Sequence, residues 1–391
     1  MDSSIRSRWR DDLRADSARH DWDGLLAEYG TPLLVLDPAR VVAQYRTLTR
    51  WLPGVRPHYA VKAAPHPAVI AAVADCGGGF DVASRGEVEL LRSLGIPMHR
   101  CIHTHPIKKI ADIEHAYAAG IRTFVVDNPV EAQKFSGLPA DIEILVRLAF
   151  ANPSAKSDLS TKFGVSLRDA ELVVKHVLAA GVRLRGFSFH VGSQGSSVQP
   201  YRTALRDTVD LIDKVRHTLG VQVTTIDIGG GFPVDYREPM PDIADIGAVV
   251  DDVLGTEHGL TLLAEPGRFL TASSMTLLSS VVGTAMRDGR LWHYLDDGLY
   301  GSYSNVLTED VHPPLLALDE LHGPHKELLP VTLAGPTCDC VDVIAPDYPM
   351  PELAVGDVVV SPMMGAYTSV TSSRFNGIAE TRIVTVTSGD L

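Results

Sequence analysis

His58-Tyr59-Ala60-Val61-Lys62-Ala63-Ala64-Pro65, then a helical pattern over 67–75, then Gly79-Phe80-Asp81-Val82-Ala83 reads as one strand, one helix and a second strand. Both strand runs are apolar throughout rather than alternating, the pattern of parallel strands covered on both faces. The unit recurs. Further runs over 100–104, 123–127, 143–148, 184–190, 225–228 and 262–265 are separated by helical patterns, among them 87–94, 107–119, 167–180 and 201–219. Eight such units in about 210 residues predict an α/β fold, a (β/α)8 TIM barrel. A doubly wound open sheet is the second possibility. Past residue 269 the helical periodicity fades. Short β-rich runs over 275–283, 291–295, 328–333, 357–361 and 381–386, punctuated by Pro and Gly, predict a C-terminal, mostly β domain. The run 33–37 precedes the barrel as an N-terminal strand able to join that domain. The expected division is 38–272 for the barrel, with 1–37 and 273–391 forming the β domain.

The 391 residues suit two domains, and 45% hydrophobic with 21% charged residues is ordinary globular composition. A net charge of −13 argues against nucleic acid and anionic membranes as partners. The first 29 residues are crowded with Arg, Asp and Glu and carry no apolar leader segment, and no run is long and apolar enough to span a bilayer. Cys76, Cys101, Cys338 and Cys340 form neither a disulfide framework nor a zinc pattern. A cytoplasmic location is expected.

Chemistry in a β/α barrel sits at the C-terminal strand ends. Lys62 ends the first run and Asp81 lies in the second. Arg147 lies in the fifth, and His190 ends the sixth, ahead of Val191-Gly192-Ser193. Gly229-Gly230-Gly231-Phe232-Pro233 follows the seventh, and Glu265-Pro266-Gly267-Arg268 the eighth. Each admits two readings. Lys62 is a solvated charge or a Schiff-base lysine. The glycine run is a tight turn or a place where backbone N–H groups meet an anion. Glu265 is a salt-bridge partner of Arg268 or the partner of a pyridinium nitrogen. His190 is a hydrogen-bonded core residue or a ring stacked on a cofactor; no second ligand stands at metal spacing, so no metal is expected. Ser84 with Glu87 is a helix capping box, or Glu87 joins Asp81 in holding the lysine.

Taken together, the motifs resemble the fold type III pyridoxal-phosphate decarboxylases, the ornithine and diaminopimelate decarboxylase family, on its ornithine/lysine side. They are Tyr59-Ala-Val-Lys62, Phe80-Asp81-Val-Ala-Ser84, Phe189-His190-Val-Gly-Ser193, Gly229-Gly-Gly-Phe-Pro233, Glu265-Pro-Gly-Arg268, Asp297-Gly-Leu-Tyr-Gly-Ser302, Gly335-Pro-Thr-Cys338-Asp339 and Gly365-Ala-Tyr367. The resemblance spans about residues 31–377 and implies pyridoxal 5'-phosphate as cofactor. It implies that Lys62 holds the cofactor covalently, His190 stacks on the ring and Glu265 meets the ring nitrogen. Arg147 would lie near the ring hydroxyl, and Asp81 beside the lysine. Ser193, Gly230, Gly231, Gly267, Arg268 and Tyr367 would hold the phosphate. It further implies a homodimer in which Cys338 and Asp339 serve the partner's site, Cys338 as proton donor to the substrate carbon and Asp339 toward the substrate's distal end. On its own, Cys338 also reads as a small buried hydrophobe.

The substrate implied is a small-molecule basic amino acid. One departure bears on which. Where ornithine decarboxylases show Tyr-Asp-His, this chain has Leu307-Thr308-Glu309-Asp310-Val311-His312. If Glu309 fills the acidic position, its extra methylene favours a shorter or differently shaped amine; if Asp310 does, ornithine or lysine fits. Diaminopimelate or a modified amino acid of a secondary pathway stays open. Three other readings compete. Alanine racemases share the architecture but place an arginine at the ring nitrogen, and small carrier proteins lack the β domain. Non-catalytic binding relatives lose the lysine, cofactor contacts or cysteine, all present here.

Overall fold

The computed structural model describes residues 3–255, 259–323 and 326–387; the outermost ends of the expected β domain, 1–2 and 388–391, lie outside them. Two compact units emerge, one of residues 42–234 and 240–270, the other of residues 1–41, 235–239 and 271–391.

The first unit is a closed barrel of eight parallel strands: Val55–Ala60, Gly79–Val82, Cys101–His103, Thr123–Val126, Glu143–Leu148, Arg183–Phe189, Thr225–Asp227 and Thr261–Ala264. Closure comes from the last strand pairing with the first, Leu262 opposite Val55. The open doubly wound sheet is thereby excluded. Ile102, Val125, Leu145 and Leu263 fill the interior at 3% exposure or less. Burial of each such side chain contributes about 1.5–3 kcal/mol.

The first strand corrects the sequence reading. It starts three residues early, at Val55, because Arg56 and Pro57 hide its apolar character, and it ends at Ala60. Lys62 therefore stands not on the strand but in a 3-10 turn, Val61–Ala63. The ladder stops at Ala60, opposite Asp81, and the Ala60 N–H turns to the Pro266 carbonyl at 3.1 Å. The sequence reading did not single out Pro38–Trp51 or Ile243–Leu254, which opens on an Asp242/Asp245 capping box. A Cβ at Gly247 would lie 2.0 Å from the Trp51 carbonyl oxygen, so only glycine lets these two helices meet there.

The second unit is built on an eight-stranded sheet whose main path runs Leu316–Ala317, Val358–Ser361, Met275–Arg287, Arg290–Leu295, Leu329–Ala334, Val343–Met350. The N-terminal strand, Leu33–Leu36, joins it between Met275–Arg287 and Arg382–Thr385. Val343–Met350 was not foreseen, because Pro346 and Pro349 interrupt it; they are tolerated because, among the described residues, the strand stands at the end of the sheet's path, where one row of N–H groups is not needed for a ladder. The first 29 residues, given no element from sequence, form helices Ser3–His20 and Trp22–Tyr29. Leu13 and Trp22 are buried, and the Trp9 indole donates to the Tyr236 carbonyl at 2.8 Å.

Candidate active site

The barrel interior changes character within one step of each strand. Leu145 and Leu263 belong to the apolar plug. Two residues on, Arg147 and Glu265 emerge on the same face, because strand side chains repeat every second residue. Asp81 and Asp227 stand in register with Ile102 and Leu263 and share that face. Lys62 reaches them from its turn, with Nζ 2.7 Å from Asp81 Oδ2. The Asp81 side chain is fully buried, and its other oxygen accepts from the Thr104 hydroxyl. The lysine's counter-ion is thus held from both sides. Glu87 is the fourth residue of the Ser84-capped turn. Its backbone N–H donates to Ser84 Oγ at 3.3 Å and its carboxylate accepts from the Ala83 N–H at 2.6 Å, so its direct contacts are those of a helix start.

Three acids, Asp81, Asp227 and Glu265, act here with two bases, Lys62 and Arg147. A buried carboxylate without a compensating charge costs several kcal/mol, so the excess is met by a proton. Burial, followed by the neighbouring Asp227, pushes Glu265 well above the usual carboxylate range. Burial likewise lifts Asp227 to about 6, although its Oδ1 accepts the Gly229 N–H at 2.9 Å. A cationic ring nitrogen beside Glu265 would take the place of that proton.

His190 is driven down to about 3 by burial, then by Arg147 and Lys62, so its ring is neutral. Its Nδ1 accepts the Gly192 N–H at 3.1 Å, which leaves the ring proton on Nε2. The glycine run packs against this histidine. A Cβ on Gly230 would sit 2.4 Å from the Glu265 carbonyl oxygen and 3.3 Å from His190 Nε2. One on Gly231, at φ 88°, would sit 2.0 Å from the Gly192 carbonyl oxygen. Tyr201 anchors the run by donating to the Gly230 carbonyl at 2.8 Å while stacking on Phe232. Ser193 lies on the two-stranded ribbon Ser193–Gly195 with Ala155–Ser157. Gly267 and Arg268 are buried directly after Glu265. A neutral histidine face, a lysine, an excess buried acid and a glycine-lined backbone fit an aldehyde-bearing aromatic ring with a basic nitrogen, so the residues present suit pyridoxal phosphate.

The remaining expected residues lie in the second unit. Cys338 is exposed. Asp339 accepts from the Tyr300 hydroxyl, which pulls its carboxyl below the usual range. Asp310 closes the short helix Ser304–Glu309 in the left-handed region, φ 53°, and its Oδ1 stands 2.8 Å from His312 Nε2. Glu309 and Tyr367 are half-buried. Sequence reasoning passed over Thr104, Tyr201, Asp227, Tyr300 and Asn376. Asp227 alone had a signal, an acid inside the apolar run before the glycines.

The paired acids carry a pH prediction for the cofactor-free protein. Asp227 rises from its ordinary 3.8 to about 6 on folding, so between those values the folded chain holds more protons than the unfolded one. Stability contributed by its protonated form is full below 3.8 and is lost as pH climbs through 6. Asp227→Asn keeps an acceptor for Gly229 and removes this loss. Melts of the cofactor-free variant should match the parent near pH 4 and exceed it above pH 6 by about 3–8 °C. An advantage confined to acid pH would contradict the assignment.

Residues 38–272 match the pyridoxal-binding domain of the pyridoxal-dependent decarboxylases. The lysine/ornithine decarboxylase of Selenomonas ruminantium is 36% identical over 349 residues, 89% of this chain and 87% of that protein. The crystal structure of lysine/ornithine decarboxylase from Vibrio vulnificus complexed with cadaverine superposes with a TM-score of 0.87 at 40% identity, covering 93% of this chain and 97% of the other. The Paramecium bursaria Chlorella virus arginine decarboxylase bound to agmatine gives a TM-score of 0.86 at 28% identity, over 93% and 99%.

Proposed function

The chain belongs to the pyridoxal-dependent decarboxylase family, and on that premise we propose that it decarboxylates a basic amino acid of the ornithine type, the shorter chains preferred, around Lys62, with its second acidic contact supplied by Glu309. The reaction class is decarboxylation of a basic amino acid, with pyridoxal phosphate as cofactor. The observation that carries the site assignment is the barrel-interior charge set: Lys62 held at 2.7 Å by Asp81 in a cluster one positive charge short. When bound, pyridoxal phosphate supplies an aldehyde for an amine and a conjugated ring that accepts the electron pair left by the departing carboxylate.

The chain's residues have separate tasks. Lys62 Nζ would hold the cofactor covalently, and its free ammonium rests on Asp81. Thr104 holds Asp81 in place. Glu265 would keep a proton on the ring nitrogen, the neutral His190 ring would pack against the cofactor ring, and Arg147 would serve its hydroxyl. Gly230, Gly231, Ser193, Gly267 and Arg268 would receive the phosphate. Cys338 Sγ delivers a proton to the substrate α-carbon. Borohydride reduction of the loaded protein, followed by peptide mapping, should place the cofactor on Lys62; a label elsewhere would overturn the assignment.

For the distal ammonium, Asp310 is engaged with His312 and lies at an exposed helix end, which favours Glu309 together with Asp339. Glu309→Gln should raise KM for ornithine about tenfold, the scale of a lost charge-assisted hydrogen bond, while Asp310→Asn stays within about twofold. A panel of ornithine, lysine, arginine, 2,4-diaminobutyrate and meso-diaminopimelate should favour the shorter chains, because glutamate occupies one methylene more than aspartate. Equal inactivity on all diamino acids would remove the acidic pocket. A homodimer supplies Cys338 and Asp339 to the partner's barrel, consistent with the exposure of Cys338 on its own unit. A reducing cytoplasm suits an exposed working thiol.

A further inference from the structure

Cys338 is gripped by a residue 38 positions away. Asn376 sits in the turn Phe375–Gly377 with φ 56° and ψ 12°, a left-handed conformation that asparagine tolerates better than most residues. Its Oδ1 accepts the backbone N–H of Cys338 at 3.2 Å, and its Nδ2 donates to Cys338 Sγ at 3.3 Å. The backbone N–H decides which way the amide points. Only the carbonyl oxygen can accept it, so the NH2 must face the sulfur.

The same turn is tied to the next residue along. The Phe375 ring lies 4.6 Å from that of Tyr300, and the Tyr300 hydroxyl donates to Asp339. The Ser373 N–H closes the arrangement on the Tyr300 carbonyl at 2.8 Å. From the other side, Asp342 accepts from the Thr337 N–H at 3.0 Å and the Thr337 hydroxyl at 2.6 Å. Cys338 is therefore exposed to solvent yet fixed in both backbone and sulfur position.

We propose that Asn376 is a positioning residue for Cys338, its amide donating to the sulfur so that the thiol proton is aimed outward at the substrate and the thiolate left behind is held. This rests on the reading of Cys338 as the proton donor. The step is simple: the S–H bond breaks, a C–H bond forms at the α-carbon, and the sulfur keeps the electron pair until solvent returns a proton. A neutral thiol sulfur is a weak acceptor and a thiolate a strong one. The Asn376 hydrogen bond therefore strengthens as the proton leaves, which is stabilisation that grows along the reaction.

Two variants separate the parts. Asn376→Gly removes the side chain while tolerating the backbone angle. Asn376→Asp keeps the shape and the acceptor for the Cys338 N–H but sets a carboxylate oxygen against the sulfur. Alkylation of Cys338 at pH 7 by iodoacetamide, read by peptide mass so that exposed Cys340 is counted separately, should slow about threefold in the glycine variant and about tenfold in the aspartate variant. In both, the share of turnovers that end in the amine should fall, and an aldehyde by-product should rise. If Cys338→Ala diverts the product while neither Asn376 variant changes alkylation or product, the role of Asn376 is overturned. If the variants slow alkylation but Cys338→Ala still forms clean amine, the reading of Cys338 fails, and the catalytic use of the contact fails with it.

Discussion

Lys62→Ala should abolish borohydride-trapped cofactor and lower kcat by about four orders of magnitude, the loss of a covalent group together with its proton transfers. The variant should still fold, since the lysine side chain is 43% exposed and its removal leaves Asp81 bonded to Thr104. Buried Asp81 then lacks its cation, so some loss of melting temperature is expected at neutral pH and should be smaller in Lys62→Arg. Mixing tests the dimer at the same time. If Cys338 serves the partner's barrel, Lys62→Ala and Cys338→Ala subunits exchanged together should regain about a quarter of parent activity, since half the dimers are mixed and each mixed dimer has one intact site. No regain after exchange, verified by tagged subunits, would place Cys338 and Lys62 in the same subunit's site.

Glu265→Gln should cost about 10²–10³ in kcat while leaving a folded, cofactor-binding protein. Glutamine matches the shape and removes the charge. The barrel interior then has two acids against two bases, and nothing holds a proton on the ring nitrogen, so the electron sink weakens where the carboxylate leaves. Cofactor affinity, measured by fluorescence titration, should fall far less than kcat, because the lysine and phosphate contacts are untouched. Asp227 should stay raised above the ordinary carboxylate range, since burial is the main cause of its shift. A Glu265→Gln enzyme with parental kcat would end the argument that this acid tunes the ring.

Local patterns made much of this legible. A lysine beside Pro65, an acid inside the second apolar run, a histidine closing the sixth and a glutamate closing the eighth are visible because strands place side chains at fixed intervals and chemistry gathers at one end of them. Strand limits were less legible. Arg56 and Pro57 hid the start of the first strand, and Pro346 and Pro349 hid an edge strand, because what tolerates those residues is the neighbouring chain, not the local run. The acidic pair Glu309-Asp310 was ambiguous for the same reason: which of two adjacent side chains turns to a pocket depends on the surrounding fold and not on the local run.

The chain by itself determined the barrel rhythm, the added β domain, the cofactor and the reaction class, through patterns that are periodic or contiguous in sequence. Only the tertiary structure decided how those residues act on one another. It set Thr104 on Asp81, put Asp227 beside Glu265 so that three acids outnumber two bases, and brought Asn376 to the sulfur of Cys338. Charge balance and hydrogen bonding depend on distances of a few ångström between residues far apart in the chain, and strand pairing and loop closure create those distances.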